Sequence, residues 1–391
     1  MKRILAINIG SSSKKYLLAN SDGDRLYSAH FESVGEAFVL REVVDGIETR
    51  KNILQDDFNN AVGYVFNMLR EYTPADHTCD IDAVAVRIVA PSRFFQEHRL
   101  VDTEFIERLH AAQTICPIHI SPILAELMRL QELPCDQTKI IGISDSVFHN
   151  SILPVARRYP IPYTDTTQHE LEKFGYHGIS ISSVMRRRQE LGEQPPRIIV
   201  CHLGSGVSVS AVLVGKSIDT SMGYTPLAGT IMGTRSGNLD PGLILALQKK
   251  KGMTNDVLQD YLYRRCGLLG ISGQTSDIRQ LLSLESDGNK RAADALESWT
   301  HSVAQNIVML AITLGSVDEI ILTGTIGERS AEMRKRILAK LNFIGVKLSP
   351  KKNQSVADDP IFIHSKSSQV SVAVIPSDEV GEMVITAKGF C

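Results

Sequence analysis

The chain has 391 residues, 43% of them hydrophobic, and a formal net charge of -2. That length suits two domains, with a third possible, and the near-neutral balance offers no charge excess for nucleic acid or an anionic membrane. The six cysteines (Cys79, Cys116, Cys135, Cys201, Cys266 and Cys391) form no C-x-x-C pair, so zinc and thioredoxin-like chemistry gain no support and reduced thiols are expected.

Met1-Lys2-Arg3 runs straight into a strand-like segment with no secretory pattern, and no apolar run is long enough to cross a bilayer, so a cytoplasmic protein is expected. Residues 3–19, RILAINIGSSSKKYLLA, read as a strand, a tight Gly/Ser turn and a returning strand. Residues 56–72 carry an amphipathic helical pattern, followed by a strand near 81–89. Helices are expected at 103–112 and 121–131, then a strand from Lys139 to Ile143. Pro154, Pro160 and Pro162 cluster at the expected domain boundary, near 150–165.

Beyond it, a helix is expected at 180–191, and residues 197–213, RIIVCHLGSGVSVSAVL, repeat the opening pattern. Arg3 falls on Arg197, Ile4 on Ile198, Gly10 on Gly204 and Ser11 on Ser205. Two copies of one hairpin half a chain apart suggest a duplicated domain. A Gly/Ser turn exposes backbone N–H groups with little side-chain bulk, which suits an anion. A plain β-hairpin is the rival reading of either turn alone. Helices follow at 240–250, 255–263 and 290–314. Residues 318–329, DEIILTGTIGER, read as a buried strand and a glycine turn, before a helix at 330–341. This segment matches neither the P-loop nor the G-x-G-x-x-G pattern. Residues 350–368 read as a polar surface loop, Ser371 to Ile375 as a strand, and a last helix begins near Asp378. The basic runs 186–188 and 249–251 read as solvated helix faces.

Several strings resemble the acetate and propionate kinases of the sugar kinase/Hsp70/actin-type superfamily. The most specific is Asp219-Thr220-Ser221-Met222-Gly223-Tyr224-Thr225-Pro226-Leu227-Ala228-Gly229, continuing to Met232-Gly233-Thr234-Arg235-Ser236-Gly237 and Asp240-Pro241. Others are Asn8 to Ser13, Pro117-Ile118-His119, Asp145 to His149, Tyr176-His177-Gly178, Cys201 to Gly204, and Ile375 to Glu379. They run in family order along essentially the whole chain.

The resemblance implies an α/β fold of two duplicated ribonuclease-H-like domains facing across a cleft. One would span 1–152 with the C-terminal helix about 378–391. The other, 153–377, would bind nucleotide and pair two copies into a homodimer. It also implies reversible phosphoryl transfer from ATP to a short-chain carboxylate, giving acyl phosphate and ADP with Mg²⁺ present. A carboxylate is already ionised at neutral pH, so the reaction needs alignment, charge neutralisation and a metal rather than a base. By resemblance, Arg87 holds the carboxylate, Arg235 faces the transferred group and His177 contacts its oxygens. Asp145 and Glu379 are acids tied to catalysis and Mg²⁺, with Asn8 beside Glu379 as a metal residue. Val89, Ile118, His119, Tyr176 and Pro226 join Arg87 around the carboxylate. Lys15, His202, Gly204, Ser205, Gly206, Asp277, Ile278, Arg279, Gly324, Thr325, Gly327 and Arg329 are the expected nucleotide residues.

The chain departs from the family pattern at Val86 to Ser92, where Arg87 remains but two histidines and a glycine pair are replaced. Thr325 and Arg329 stand where the family has glycine and asparagine. Either these narrow the adenine site and the donor is pyrophosphate, or Arg329 swings out and ATP binds; ATP is the first expectation. The alternative outside catalysis is a regulator that binds nucleotide or acyl phosphate. Bland readings also stand beside each residue: Arg87 as an ion-pair partner, His177 as a turn residue, Asp145 as a helix cap.

Overall fold

A computed structural model describes residues 2–10, 13–34, 37–72, 81–132, 138–354 and 359–391. Ser11 and Ser12 of the first Gly/Ser turn, and Cys79 and Cys135, lie outside the described residues. The chain divides into two compact units, Met1–Val147 with Asp378–Cys391, and Phe148–Ser377.

The first unit is built on the strands β1 (Arg3–Ile9), β2 (Ser13–Asn20), β3 (Arg25–Val34), β4 (Ala37–Val44), β5 (Ile47–Ile53), β6 (Ala83–Ile88), β7 (Arg99–Leu100) and β8 (Lys139–Ser144). They lie in the order β5-β4-β3-β2-β1-β6-β8-β7. β1 to β5 pair as successive antiparallel neighbours, whereas β6 joins β1 and β8 joins β6 in parallel. β1 is buried along almost its whole length, which suits its apolar run RILAINI. The edge strand β5, IETRKNI, is exposed at every position but its last. The helix Thr103–Gln113 starts where the Asp102 carboxylate accepts the Phe105 N–H at 2.8 Å. The helix Glu379–Ala387 packs on β1 and β6, and Asp378 caps its first turn.

The second unit repeats the plan with β9 (Arg197–Leu203), β10 (Val207–Leu213), β11 (Lys216–Thr220), β12 (Glu319–Thr323), β13 (Ile361–Phe362) and β14 (Ser371–Val374). The order β11-β10-β9-β12-β14-β13 reproduces β3-β2-β1-β6-β8-β7 strand for strand. The parallel and antiparallel senses match as well. These are duplicated ribonuclease-H-like domains, the first enlarged by the β4–β5 hairpin. Period-2 alternation splits the buried second sheet between two layers. Ile198, Val200, Val212 and Ile321 pack with Ile181, Val184 and Met185 of the helix Gly178–Glu190. The long helix Lys290–Leu314, with Trp299, Val303 and Ile307 buried, packs on β9 and β10. Each such side chain stabilises the fold by roughly 1.5–3 kcal/mol.

Four sequence expectations need correction. The helix expected over 56–72 is broken at Asn60 into Gln55–Asn59 and Ala61–Tyr72, and the Asn59 carbonyl accepts from Lys14 at 3.1 Å and Arg129 at 2.6 Å. The glycine turn at 324–329 is helical, Gly324–Arg329, because the chain coils at once on leaving β12. The 350–368 stretch is not merely a surface loop. It contributes the short helix Pro350–Asn353 and the edge strand β13, and Asn353 is buried against Arg334. In the 186–188 run, Arg188 is buried in a bidentate pair with Glu319, at 2.7 and 3.2 Å.

Candidate active-site residues in the two units

In the first unit the chemistry gathers at the carboxyl ends of the three parallel strands. Asn8 closes β1, Arg87 lies at the end of β6, and Asp145 follows β8. In open α/β sheets this is the end where ligands bind. Arg87 Nη1 donates to Asn8 Oδ1 at 3.1 Å, and Nη2 donates to Asp145 Oδ2 at 2.7 Å. The Asn8 amide N–H donates in turn to Glu379, at the start of the last helix. Asp145 is therefore an ion-pair partner of Arg87. Burial works against the Arg87 charge, but Asp145 and Glu379 outweigh it and hold the guanidinium protonated above its ordinary range. Arg87 Nε is buried and finds no acceptor among the described residues.

Asn8, Asp145 and Glu379 present oxygen donors of the hard type that Mg²⁺ takes. Among the described residues no group of three or more His, Cys, Asp or Glu side chains could hold a metal ion. These few oxygen donors would hold a magnesium ion only in part, as is usual where substrate phosphates complete the shell. Lys15 is exposed and stands opposite Asn8 in the β1–β2 register. Its neighbour Lys14, which the sequence reading passes over, is buried with Glu126 at 3.1 Å. Val89 is buried, while Ile118 and His119 are half-buried at the start of the helix Pro117–Gln131.

In the second unit the β9–β10 turn does comparable work. His177 and His202 stack with ring centroids 4.1 Å apart. Ser208 Oγ meets His177 Nδ1 at 3.0 Å, and Ser180 Oγ meets His202 Nδ1 at 2.7 Å. Ser208 lies on β10 and Ser180 on the helix Gly178–Glu190, so these pairings exist only in space. Arg235 is held by the Pro226 carbonyl, which accepts from Nη1 at 3.2 Å, and lies over the Tyr263 ring. Pro226 thus positions Arg235 through its backbone. Tyr176 is buried and donates its hydroxyl to the Tyr224 carbonyl at 2.6 Å.

These groups converge beside Gly206. A Cβ built there would lie 3.2 Å from His177 Nε2 and 3.4 Å from Arg235 Nη1. The missing side chain leaves a cradle with two cationic or N–H-bearing groups on its rim. Gly204 forms the turn itself, its N–H donating to the Gly206 carbonyl at 3.0 Å. The exposed Ser205 accepts the Gly233 N–H at 3.2 Å, and Ser276 also lies against Gly233.

Asp277 caps the helix Ile278–Ser286 and binds Arg279 through its backbone N–H, Nε and Nη2. Ile278 is buried. Gly324, at φ 77°, lies so close to Leu203 that a Cβ would approach its carbonyl oxygen to 2.8 Å. The Gly324 N–H at this helix N-terminus is already taken. Glu328 Oε1 already accepts from Gly324 N–H at 2.9 Å, Ser377 N–H at 3.1 Å and the Thr323 hydroxyl at 3.2 Å. Glu328 was in the quoted string, and its four-residue spacing on a helix was the signal for this cap. Gly327 is buried, while Thr325 and Arg329 are both exposed.

The sequence pattern of the Acetokinase family matches residues 3–387. An acetate kinase of Clostridium botulinum (strain Okra / Type B1) is 35% identical over 387 residues, covering 96% of each chain. Among solved structures, a propionate kinase from Francisella tularensis subsp. tularensis SCHU S4 superposes with a TM-score of 0.87 at 30% identity over 98% of both chains. Porphyromonas gingivalis acetate kinase gives 0.84 at 28% identity, covering 100% of this chain and 99% of the other.

Proposed function

Because the chain belongs to the acetokinase family, whose kinases use a carboxyl group as acceptor, we propose that it transfers the γ-phosphoryl group of ATP reversibly to acetate or propionate. The observation that carries this reading is the side-chain-free Gly206, over which His177 Nε2 and Arg235 Nη1 come together. A phosphoryl group in flight carries its charge on equatorial oxygens, and such a pair neutralises it. Arg87 holds the acceptor with a guanidinium kept charged by Asp145 and Glu379. One carboxylate oxygen attacks phosphorus in line, the bond to the ADP oxygen breaks, and no proton need move. Asn8 and Glu379, with Asp145 beside them, would hold a magnesium ion, which would supply charge offsetting the polyphosphate.

ATP is preferred over pyrophosphate because Asp277, Arg279 and the 204–206 turn remain, and Thr325 and Arg329 are exposed rather than packed inside the second unit. Gly324, Gly327 and the Asp277–Arg279 segment then border the nucleoside, with the 204–206 turn and His202 nearer its phosphates. In the first unit Lys15 is the further candidate for phosphate and Val89, Ile118 and His119 are the candidates for the short alkyl end; in the second unit Tyr176 and Pro226 are. Leu239, Leu243 and Leu245, exposed on or beside the helix Pro241–Lys251, support assembly of two copies through the second unit.

The test is acyl phosphate formation, trapped as hydroxamate, with Mg²⁺, C2–C4 carboxylates and either ATP or pyrophosphate. Product with ATP that disappears in Arg235→Ala supports the reading. Product with pyrophosphate alone replaces the donor, and a folded protein silent with both overturns catalysis in favour of a regulator.

A further inference from the structure

His149 lies outside every role assigned above, yet it is fully buried in the second unit and both ring nitrogens are engaged. Nε2 lies 2.9 Å from the Tyr176 carbonyl oxygen, and Nδ1 lies 2.8 Å from Ser217 Oγ. A carbonyl can only accept, so Nε2 carries the proton; in the neutral ring Nδ1 then accepts from the serine hydroxyl. Ser217 is itself buried on β11.

The residue held in this way is next to His177. His177 has φ 62° and ψ 23°, a left-handed conformation that residues with a Cβ rarely adopt. Such a conformation persists only where its surroundings over-determine it. Gly175, two residues earlier, is also left-handed at φ 77°. A Cβ on Gly175 would come within 2.6 Å of the His149 ring. The two positive φ angles turn the Tyr176 carbonyl onto His149 Nε2. They also present the His177 ring to Ser208 and to the Gly206 cradle.

We propose that His149 is a positioning residue: as a neutral Nε2–H tautomer it clamps the Tyr176 carbonyl and so fixes the left-handed backbone of His177 that aims Nε2 at the phosphoryl group. This rests on the reading of His177 given above. It also gives the string Asp145 to His149 two separate duties. Its aspartate serves the first unit and its histidine serves the second.

The experiment compares His149→Phe, which keeps a packed ring without the donor, with His149→Gln, whose amide N–H reaches the position of Nε2. Full-length protein is assayed for kcat and KM, its Tm is measured, and the histidine tautomers are read by long-range ¹H–¹⁵N correlation without substrate. His149→Phe is expected to lower kcat by ~10- to ~100-fold, the scale of a small misplacement of a reacting group. Carboxylate KM should change little, the His177 resonances should shift, and His149→Gln should recover most of kcat. An Nδ1–H or doubly protonated His149 in the wild type overturns the proposal. So does a fully active His149→Phe, or an equal loss in both variants that tracks a fall in Tm. His177→Asn separates the two readings. Full activity there removes His177 from the chemistry, whereas its loss beside an active His149→Phe defeats only this inference.

Discussion

Replacing Gly206 by alanine should abolish most turnover while leaving the protein folded. Gly206 is not among the residues with positive φ, so alanine meets no backbone penalty there. Its neighbours at the new methyl are side-chain ends, His177 Nε2 at 3.2 Å, His177 Cε1 at 3.3 Å and Arg235 Nη1 at 3.4 Å. These can yield by tenths of an ångström, and the alanine lowers the entropy of the unfolded chain, so stability should change by no more than about 1 kcal/mol. The cradle fares differently. A phosphoryl oxygen stabilised in the transition state must come within about 2.7–3.1 Å of its donors. The methyl carbon would stand between the Gly206 backbone and both donors and crowd the approach of such an oxygen. Loss of one preorganised donor costs about 2.7–4 kcal/mol, or 10²–10³ in kcat. The expectation is therefore a drop of at least ~100-fold in kcat by hydroxamate trapping, with Tm nearly unchanged. A folded Gly206→Ala enzyme retaining kcat within about threefold, under 1 kcal/mol of transition-state loss, would refute the cradle.

Arg87→Ala should be both inactive and unstable. It leaves Asp145, with a side chain 1% exposed, as a buried charge without its guanidinium, and breaking such a pair costs roughly 3–5 kcal/mol in denaturant unfolding; an inactive variant of unchanged stability would contradict the ion-pair geometry. Acid should weaken the first unit through His98, whose pKa burial lowers to about 4 while Nδ1 accepts the Ser144 N–H. The unfolded histidine takes up its proton near pH ~6.5 and the folded one only near 4, so this stability is whole above the first value and falls as pH drops towards the second. The slope approaches ~1.4 kcal/mol per pH unit, and His98→Gln should flatten that limb of the stability profile. Sedimentation should give twice the 43.1 kDa chain mass for the wild type and the single mass for Leu243→Glu/Leu245→Glu; a monomeric wild type rejects the paired assembly.

Both Gly/Ser hairpins were legible because an apolar run, a small-residue turn and a second apolar run leave few other folds. The β4–β5 hairpin was not, since a strand exposed on both faces carries no period-2 alternation. Nor could alternation separate Lys14 from Lys15, because β2 continues into five buried positions, Tyr16 to Asn20, and both faces read alike. The helix Gly324–Arg329 was hidden by its glycines, which suggest a turn although Gly324 serves close approach to Leu203. Arg87 and Asp145 stand 58 residues apart, and Asn8 and Glu379 stand 371 apart. Their residue types were visible along the chain, but their meeting depends on parallel β1, β6 and β8 ending side by side. The Glu328 carboxylate that accepts the Gly324 N–H could be suspected only from its four-residue spacing, once the segment is known to be helical.

The hairpin that enlarges the first sheet also decides what that sheet offers to strangers. An open edge of backbone N–H and C=O groups invites another strand to dock. Here the outermost strand carries Glu48, Arg50 and Lys51 with its side chains in water on both faces. A second copy approaching edge to edge would have to desolvate those charges, with Ile47 the large exposed apolar side chain on the strand. The appended strand therefore works as a guard rail, giving the β-sheet a border at which growth by strand addition stops.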